Sequence, residues 1–263
     1  MAKPATSMNH AYCGLAIRYH DLPKSVENIA LLVVLGGPQD PATSTEEYPH
    51  FDAFAERALI IKAVEARKAA VGICLGSQLI GEALGATFSH SPEKEIGKFP
   101  ISLTEAGKNN PKFSHFGDTP EVGHWHNDMP GPTRDSRLET RKSLPLVSGC
   151  PLQIVEYSNI AYGFQCHMEL TSDVVELLIA ASESDLAKLT DRRFVQLPDA
   201  LRVRQLGRHK LEAVCLPRQA HRRVQEHCPL TRVMGLAYHA VASPSPCWQI
   251  ESCTDQLYCL IGA

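Results

Sequence analysis

Nowhere in this 263-residue chain do apolar residues run for the roughly 20 positions that a bilayer-spanning helix needs. The opening stretch, MAKPATSMNHAYCG, also lacks the apolar core of a secretory signal. The two absences point to a cytoplasmic protein with no membrane partner. Charge of one sign is lacking as well: at a net charge of −3 the molecule has no strong field to gather nucleic acid or an anionic surface, so a small-molecule substrate fits better. The nine cysteines lack regular spacing and are odd in number, which excludes the disulfide framework of a short secreted domain and makes them mostly reduced thiols. Internal repeats and low-complexity tracts are absent too. What the chain does have is apolar content, 44% of residues, enough to fill the core of one large α/β domain.

Two apolar runs rich in β-branched residues, Ile29 to Leu35 and Ala69 to Ile73, read as buried parallel strands. Between them, the stretch from Tyr48 to Lys68 places Phe51, Phe54, Ala58, Ile61 and Val64 at spacings of three and four, which predicts a helix with that face buried. Strand, helix and strand then form a right-handed crossover. A second helix is expected just after Cys74, over SQLIGEAL, stopped by Gly85. Beyond Ala86 the chain turns mainly to β structure, with a hairpin over Ile154 to Cys166 around Ser158 and Asn159. The polar stretch from Pro130 to Pro145 reads as a surface loop, and Thr171 to Leu189 as one helix.

Gly72-Ile73-Cys74-Leu75-Gly76 has the form of a nucleophile elbow with cysteine in place of serine. At a strand-to-helix turn the glycines avoid clashes, the sulfur is lifted to the end of the strand, and the helix N-terminus favours a thiolate. A buried structural cysteine between two packing glycines is the competing reading. A nucleophilic thiol needs a base, and the segment Gln165 to Glu169 offers His167, with Glu169 two residues on and able to hold the other imidazole nitrogen. Alone, that pair reads better as a surface histidine beside a helix cap, and only its pairing with the elbow favours a base. Gly36-Gly37-Pro38 follows the first strand directly and could donate backbone N–H groups to an oxyanion together with Leu75, or could be an ordinary turn.

In combination, GGP, GICLGSQ, HWHND and GFQCHMELT resemble the class I glutamine amidotransferases, nearest to stand-alone domains similar to the glutaminase half of GMP synthase. The resemblance covers about residues 29 to 196. It implies an α/β, flavodoxin-like open and mostly parallel sheet flanked by helices, with a small antiparallel β insertion. It implies Cys74 as nucleophile, His167 as base and Glu169 as orienting carboxylate, with Gly37 and Leu75 forming the oxyanion hole. It also implies Gly36 and Gln78 as substrate-binding, and Glu95, in the segment EIGK, as a residue that shapes the substrate cleft. The substrate would be L-glutamine, hydrolysed to glutamate and ammonia without a cofactor, the ammonia passing to a synthase partner or other acceptor. No Gly-rich ATP-binding loop follows the glutaminase-like region to identify that acceptor.

His124 and His126 with Asp128 could instead suggest a metal site, but no further ligand stands at a sensible spacing. No metal is expected, and a structural role is assigned, with Trp125 packed and the histidines hydrogen-bonded.

Three departures from the family pattern bear on this reading. A single strand-like segment, Ala11 to Tyr19, precedes Ile29, so the N-terminal region would be shortened and a sheet edge left open to self-association into a homo-oligomer. Cys166 and Met168 stand where phenylalanine and proline are usual, which would loosen the base. From Leu197 the resemblance ends: residues 201 to 232 hold eight Lys or Arg against two acidic residues, and five cysteines fall in the last 50 positions. We read residues 1–196 as the amidotransferase-like domain and 197–263 as a basic, Cys-rich, poorly ordered tail; without interleaved aromatics it does not read as a nucleic-acid binder. Two other functions are carried alongside: a γ-glutamyl peptide hydrolase with the same three residues, and a non-catalytic partner-binding module.

Overall fold

The computed structural model describes residues 14–15, 22–49, 51–113, 116, 119–141, 149–170, 172–189, 191–204 and 256–260. The two apolar runs are strands β2 (Ile29–Val34) and β3 (Ala69–Ile73), paired in parallel with Leu31 opposite Ala69. Along β2 the side chains alternate. Leu31, Val33 and Leu35 enter one core with Val71, Ile73 and Phe164, while Leu32 and Val34 enter a second core with Leu59, Ile60, Leu79 and Ile80. Apolar residues on both faces are what a sheet covered on both sides requires.

Helix α1 (Ala53–Glu65) connects β2 to β3 and is capped by Asp52, whose carboxylate accepts the Ala55 N–H at 2.9 Å. Its buried face is Ala53, Glu56, Leu59, Ile60 and Ala63, not the expected one: Phe54 is 78% exposed and Ile61 lies at the surface. Apolar side chains surround much of this helix, so spacing supported two faces equally. The sheet covers the face that carries Leu59 and Ile60. Phe51, just before the helix, is buried as expected. Helix α2 (Leu75–Ala83) leaves β3 directly after Cys74 and packs beside α1 in the second core.

The main sheet has eight strands, and its order is built outward from β2 and β3. Beyond β3 lie β9 (Ala161–Phe164), in parallel, then β8 (Ile154–Ser158), β7 (Arg137–Arg141) and β5 (Ser102–Leu103), all antiparallel. The hairpin over 154–166 is therefore present, whereas the expected loop over 130–145 contains β7 from residue 137 to 141. Its pairing partners, β5 and β8, lie outside the stretch itself, which local patterning cannot see. On the other side of β2 the chain places β10 (Gln256–Leu260) and then β1 (Gly14–Leu15), both parallel. Within the stretch read as a tail, β10 thus occupies the position beside β2, and helix α6 (Pro198–Arg204) buries Leu201 against Ile96 and Leu170.

A second, two-stranded antiparallel sheet pairs β4 (Phe88–Pro100) with β6 (Glu121–Pro130). It is the small antiparallel element implied by the resemblance, beside a mostly parallel, helix-flanked sheet of flavodoxin-like type. A short helix α3 (Glu105–Asn109) and a 3-10 turn at Pro111–Phe113 link the two strands. The single helix expected over 171–189 is instead α4 (Ser172–Ala181) and α5 (Glu183–Leu186), separated at Ser182, whose N–H still reaches back to Leu178. No helix among the described residues is long and apolar enough to cross a membrane.

Candidate functional site

Cys74 sits between the last residue of β3 and the first of α2 with φ 54° and ψ −116°, a conformation that side chains rarely adopt. Such strain persists only where the surroundings impose it, and here they do. The Cys74 N–H donates to the Phe164 carbonyl at 2.7 Å, and a Cβ on Gly76 would stand 1.9 Å from the Val34 carbonyl oxygen. On Gly72 it would stand 2.2 Å from the Gly76 oxygen. Both flanking glycines are therefore demanded by the close approach of strand and helix. Gly36 is pressed against the cysteine, since a Cβ there would lie 3.1 Å from Cys74 Cβ and 3.7 Å from its Sγ.

His167 and Glu169 follow β9 and converge on this turn. His167 exchanges two backbone hydrogen bonds with Gly123 of β6, each 2.8 Å, which ties its backbone to the small sheet. Its Nδ1 lies 2.7 Å from Glu169 Oε1, and both side chains are buried. Nε2 makes no conventional hydrogen bond and interacts with the Cys74 sulfur. Burial pulls the His167 pKa down, but the Glu169 charge, the neighbouring Cys74 sulfur and the Glu169 hydrogen bond outweigh it, so the ring holds its proton well above the usual histidine range. Glu169 mirrors this. Burial raises its pKa, but the His167 charge and the Met168 backbone N–H, 2.9 Å from Oε2, bring it below the ordinary value. The result is a buried imidazolium–carboxylate pair beside the Cys74 sulfur.

Cys166 and Met168 are both seated against the core beside the base. Cys166 is fully buried among Leu31, Ile154 and Phe164, and Met168 packs against that core from its edge. Burial pushes the Cys166 thiol well above the ordinary range, so it stays protonated and apolar.

One residue that touches the Cys74 sulfur escapes the sequence reading. Gln165 Nε2 lies 3.6 Å from Cys74 Sγ, while Gln165 Oε1 accepts from Gln78 Nε2 at 3.0 Å and Ser77 Oγ at 3.3 Å. The amide's orientation is thereby set so that its N–H faces the sulfur. Its position in the motif beside His167 was visible, but its direction depends on α2 lying across β9. On the opposite side, the Cys74 thiol faces the Trp125 carbonyl at 3.8 Å.

The remaining expected residues fall into two groups. Leu75 opens α2 directly after Cys74, at a helix position whose N–H has no partner within the helix, and Gly36 and Gly37 form the half-buried turn after β2. Gln78 and Glu95, by contrast, are buried. Gln78 uses its amide on Gln165, and Glu95 faces His124 and His126 across the small sheet, together with the Cys150 N–H at 3.1 Å and Gln153 Nε2 at 2.9 Å.

Residues 5–180 match the model of the glutamine amidotransferase class-I family. The chain is 52% identical over 190 residues to YfeJ, described as a glutamine amidotransferase-like protein of Salmonella typhimurium, covering 72% of this chain and 75% of that one. Among solved structures it is similar to the protein SMU.1228c, at 43% identity and a TM-score of 0.65, over 69% of this chain and 76% of that one. A glutamine amidotransferase of Thermotoga maritima shares the fold at 24% identity and a TM-score of 0.59, over 84% and 82% of the two chains.

Proposed function

The chain belongs to the class I glutamine amidotransferase family, and from that premise we propose that it hydrolyses the side-chain amide of L-glutamine through a thioester on Cys74. The observation that carries the reading is the strained Cys74 at the head of α2, facing a buried His167 that Glu169 holds by its other nitrogen.

In this reaction the Cys74 sulfur attacks the amide carbon of glutamine, and the N–H groups of Gly37 and Leu75 receive the oxyanion. His167 transfers its proton to the departing nitrogen, the C–N bond breaks, and ammonia leaves a glutamyl thioester. Water, deprotonated by His167, then attacks the thioester, the C–S bond breaks, and glutamate leaves with the Cys74 thiolate and the His167 imidazolium restored. Glu169 stabilises the imidazolium in both halves and fixes the ring. Gly36 borders the sulfur, where a side chain would obstruct the approaching amide. Gln78 and Glu95 support the substrate site from behind, Gln78 through Gln165 and Glu95 through the strand that carries Trp125. No cofactor takes part, and ammonia passes to an acceptor supplied by another protein or domain.

The test is ammonia release from L-glutamine by the full chain and its Cys74→Ala variant, then by the same pair with a γ-glutamyl dipeptide. Release from glutamine that disappears with Cys74→Ala is the expected result. Turnover of the dipeptide alone would reassign the protein to γ-glutamyl peptide hydrolysis. Folded protein inactive on both substrates, even with added candidate synthases, would point to a non-catalytic binding module.

A further inference from the structure

Strand register brings Glu95 against two histidines of the facing strand. Glu95 of β4 is paired directly with His126 of β6, and His124, two residues earlier on β6, lies on the same face. The three side chains are buried, and their donor atoms form a nearly equilateral triangle. His124 Nδ1 lies 3.1 Å from Glu95 Oε2, His126 Nε2 lies 3.3 Å from the same oxygen, and the two ring nitrogens are 3.3 Å apart. Ligands at the corners of a tetrahedron around a zinc-type ion, with bonds of about 2.0–2.1 Å, stand about 3.3 Å from one another. The observed edges match that value.

Each ring nitrogen has one in-plane lone pair or N–H, so a hydrogen bond directs it to one of its two neighbours. A cation at the centre of the triangle would take all three at once. The surroundings are those of a supported site. His124 Nε2 lies 3.4 Å from the Phe99 carbonyl, which suits a ring that donates there and turns a bare Nδ1 inward. Glu95 is held by the Cys150 N–H and Gln153 Nε2, and Gly149 packs so closely that a Cβ there would be 2.7 Å from its carboxylate. Two imidazoles and a carboxylate are a donor set that zinc favours.

We propose that Glu95, His124 and His126 bind a divalent metal of the zinc type. The ion clamps β4 to β6 and so holds the Trp125 carbonyl, carried between the two histidines, against the Cys74 sulfur. Because the ligands are buried, the ion is taken up as the chain folds and exchanges slowly afterwards. The site is independent of the glutaminase reading, because it needs no substrate and no turnover.

The test uses the full chain produced in zinc-supplemented medium and freed of loosely held metal by a chelator. Elemental analysis of the wild type is expected to find about one zinc per chain, and the isosteric Glu95→Gln variant and His126→Ala are expected to lose it. Refolding with cobalt(II) in place of zinc should give the visible bands of a tetrahedral nitrogen–oxygen site without the near-ultraviolet thiolate band that cysteine ligation would produce. Folded wild-type protein without bound metal would overturn the proposal and leave a proton-linked Glu–His–His cluster. Equal metal content in Glu95→Gln and wild type, or cobalt bands of thiolate character, would overturn it too.

Discussion

Gln165 points its amide nitrogen at the Cys74 sulfur from 3.6 Å, and its carbonyl oxygen is held by Gln78 and Ser77. A donor fixed in this way stabilises a thiolate more than a thiol, because a hydrogen bond to an ionised acceptor is roughly twice as strong as one to a neutral acceptor. Replacing Gln165 with Leu removes that donor and leaves the Gln78 amide buried without its acceptor. We expect stability to fall by about 1–3 kcal/mol and Cys74 to be alkylated about 10-fold more slowly at neutral pH. Iodoacetamide labelling followed by mass spectrometry of the Cys74 peptide measures the second effect. Unchanged labelling would show that the amide does not act on the sulfur.

The left-handed backbone at Cys74 carries a cost that glycine would not pay. Cys74→Gly is therefore expected to be more stable than Cys74→Ala by about 1 kcal/mol, although both lack the nucleophile. Thermal unfolding of the two variants, compared with wild type, gives the answer. Alanine equal to glycine would mean that the turn relaxes once the sulfur is gone.

Two glycines separate steric demand from conformational demand. A Cβ on Gly76 meets the Val34 carbonyl oxygen at 1.9 Å, whereas Gly85 has φ +91° and nothing within 4 Å of its added Cβ. Gly76→Ala must push α2 away from β2 and should cost about 3 kcal/mol or more. Gly85→Ala bears only backbone strain and should cost about 1 kcal/mol. Urea denaturation of the pair checks the ordering.

Glu56, on the buried face of α1, has its pKa raised from the ordinary 4.5 to about 7, by burial first and Asp52 second, with Arg57 partly opposing. A raised acid favours the folded state while protonated, so its contribution is full below 4.5 and fades as pH rises through about 7. Glu56→Gln should be nearly neutral at pH 5 and stabilising above pH 7, by at most on the order of 3 kcal/mol. Chemical denaturation at the two pH values tests the sign. A variant less stable than wild type at high pH would show that the ionised carboxylate has found a partner.

The His167–Glu169 pair gives the opposite dependence at acid pH. Glu169, lowered below its ordinary 4.5, contributes stability that is present above 4.5 and lost as pH falls toward its folded value. His167, raised well above 6.5, contributes stability that is present below 6.5 and lost as pH climbs toward its raised value. Their joint contribution is therefore greatest between about 4.5 and 6.5. In Glu169→Gln that maximum should flatten, as the unpaired ring loses its proton near or below the usual range. NMR titration of the His167 ring should show the pKa drop in the variant.

The parts of this protein that could be read in one dimension are those whose physics is local. The run Ile29 to Leu35 is apolar on both faces, rich in β-branched residues and closed by glycine, and so reads as a buried strand, and the glycines around Cys74 mark the tight strand-to-helix turn that the structure contains. His167 and Glu169 stand two residues apart, so their pairing was visible before any fold was known. Local signals failed where a distant neighbour makes the choice. Spacing alone does not settle the buried face of α1, because Phe54 and Ile61 are as apolar as Leu59 and Ile60, and the sheet decides which pair it covers. Strand β7 reads as a loop from its own sequence, because this mostly polar segment becomes a strand only through pairing with β5 and β8.

Sequence alone determined the α/β class, the family and the identity of the cysteine, histidine and glutamate, because each is written in short motifs with a stereochemical requirement of their own. Tertiary structure alone decided what those residues meet. It turned Gln165 toward the sulfur, buried Gln78 and Glu95 behind the site, placed β10 beside β2, and set Glu95 across from the two histidines. The reason is common to all four. Register and packing are relations between segments dozens to hundreds of residues apart, and no local pattern encodes which of them will lie at hydrogen-bonding distance.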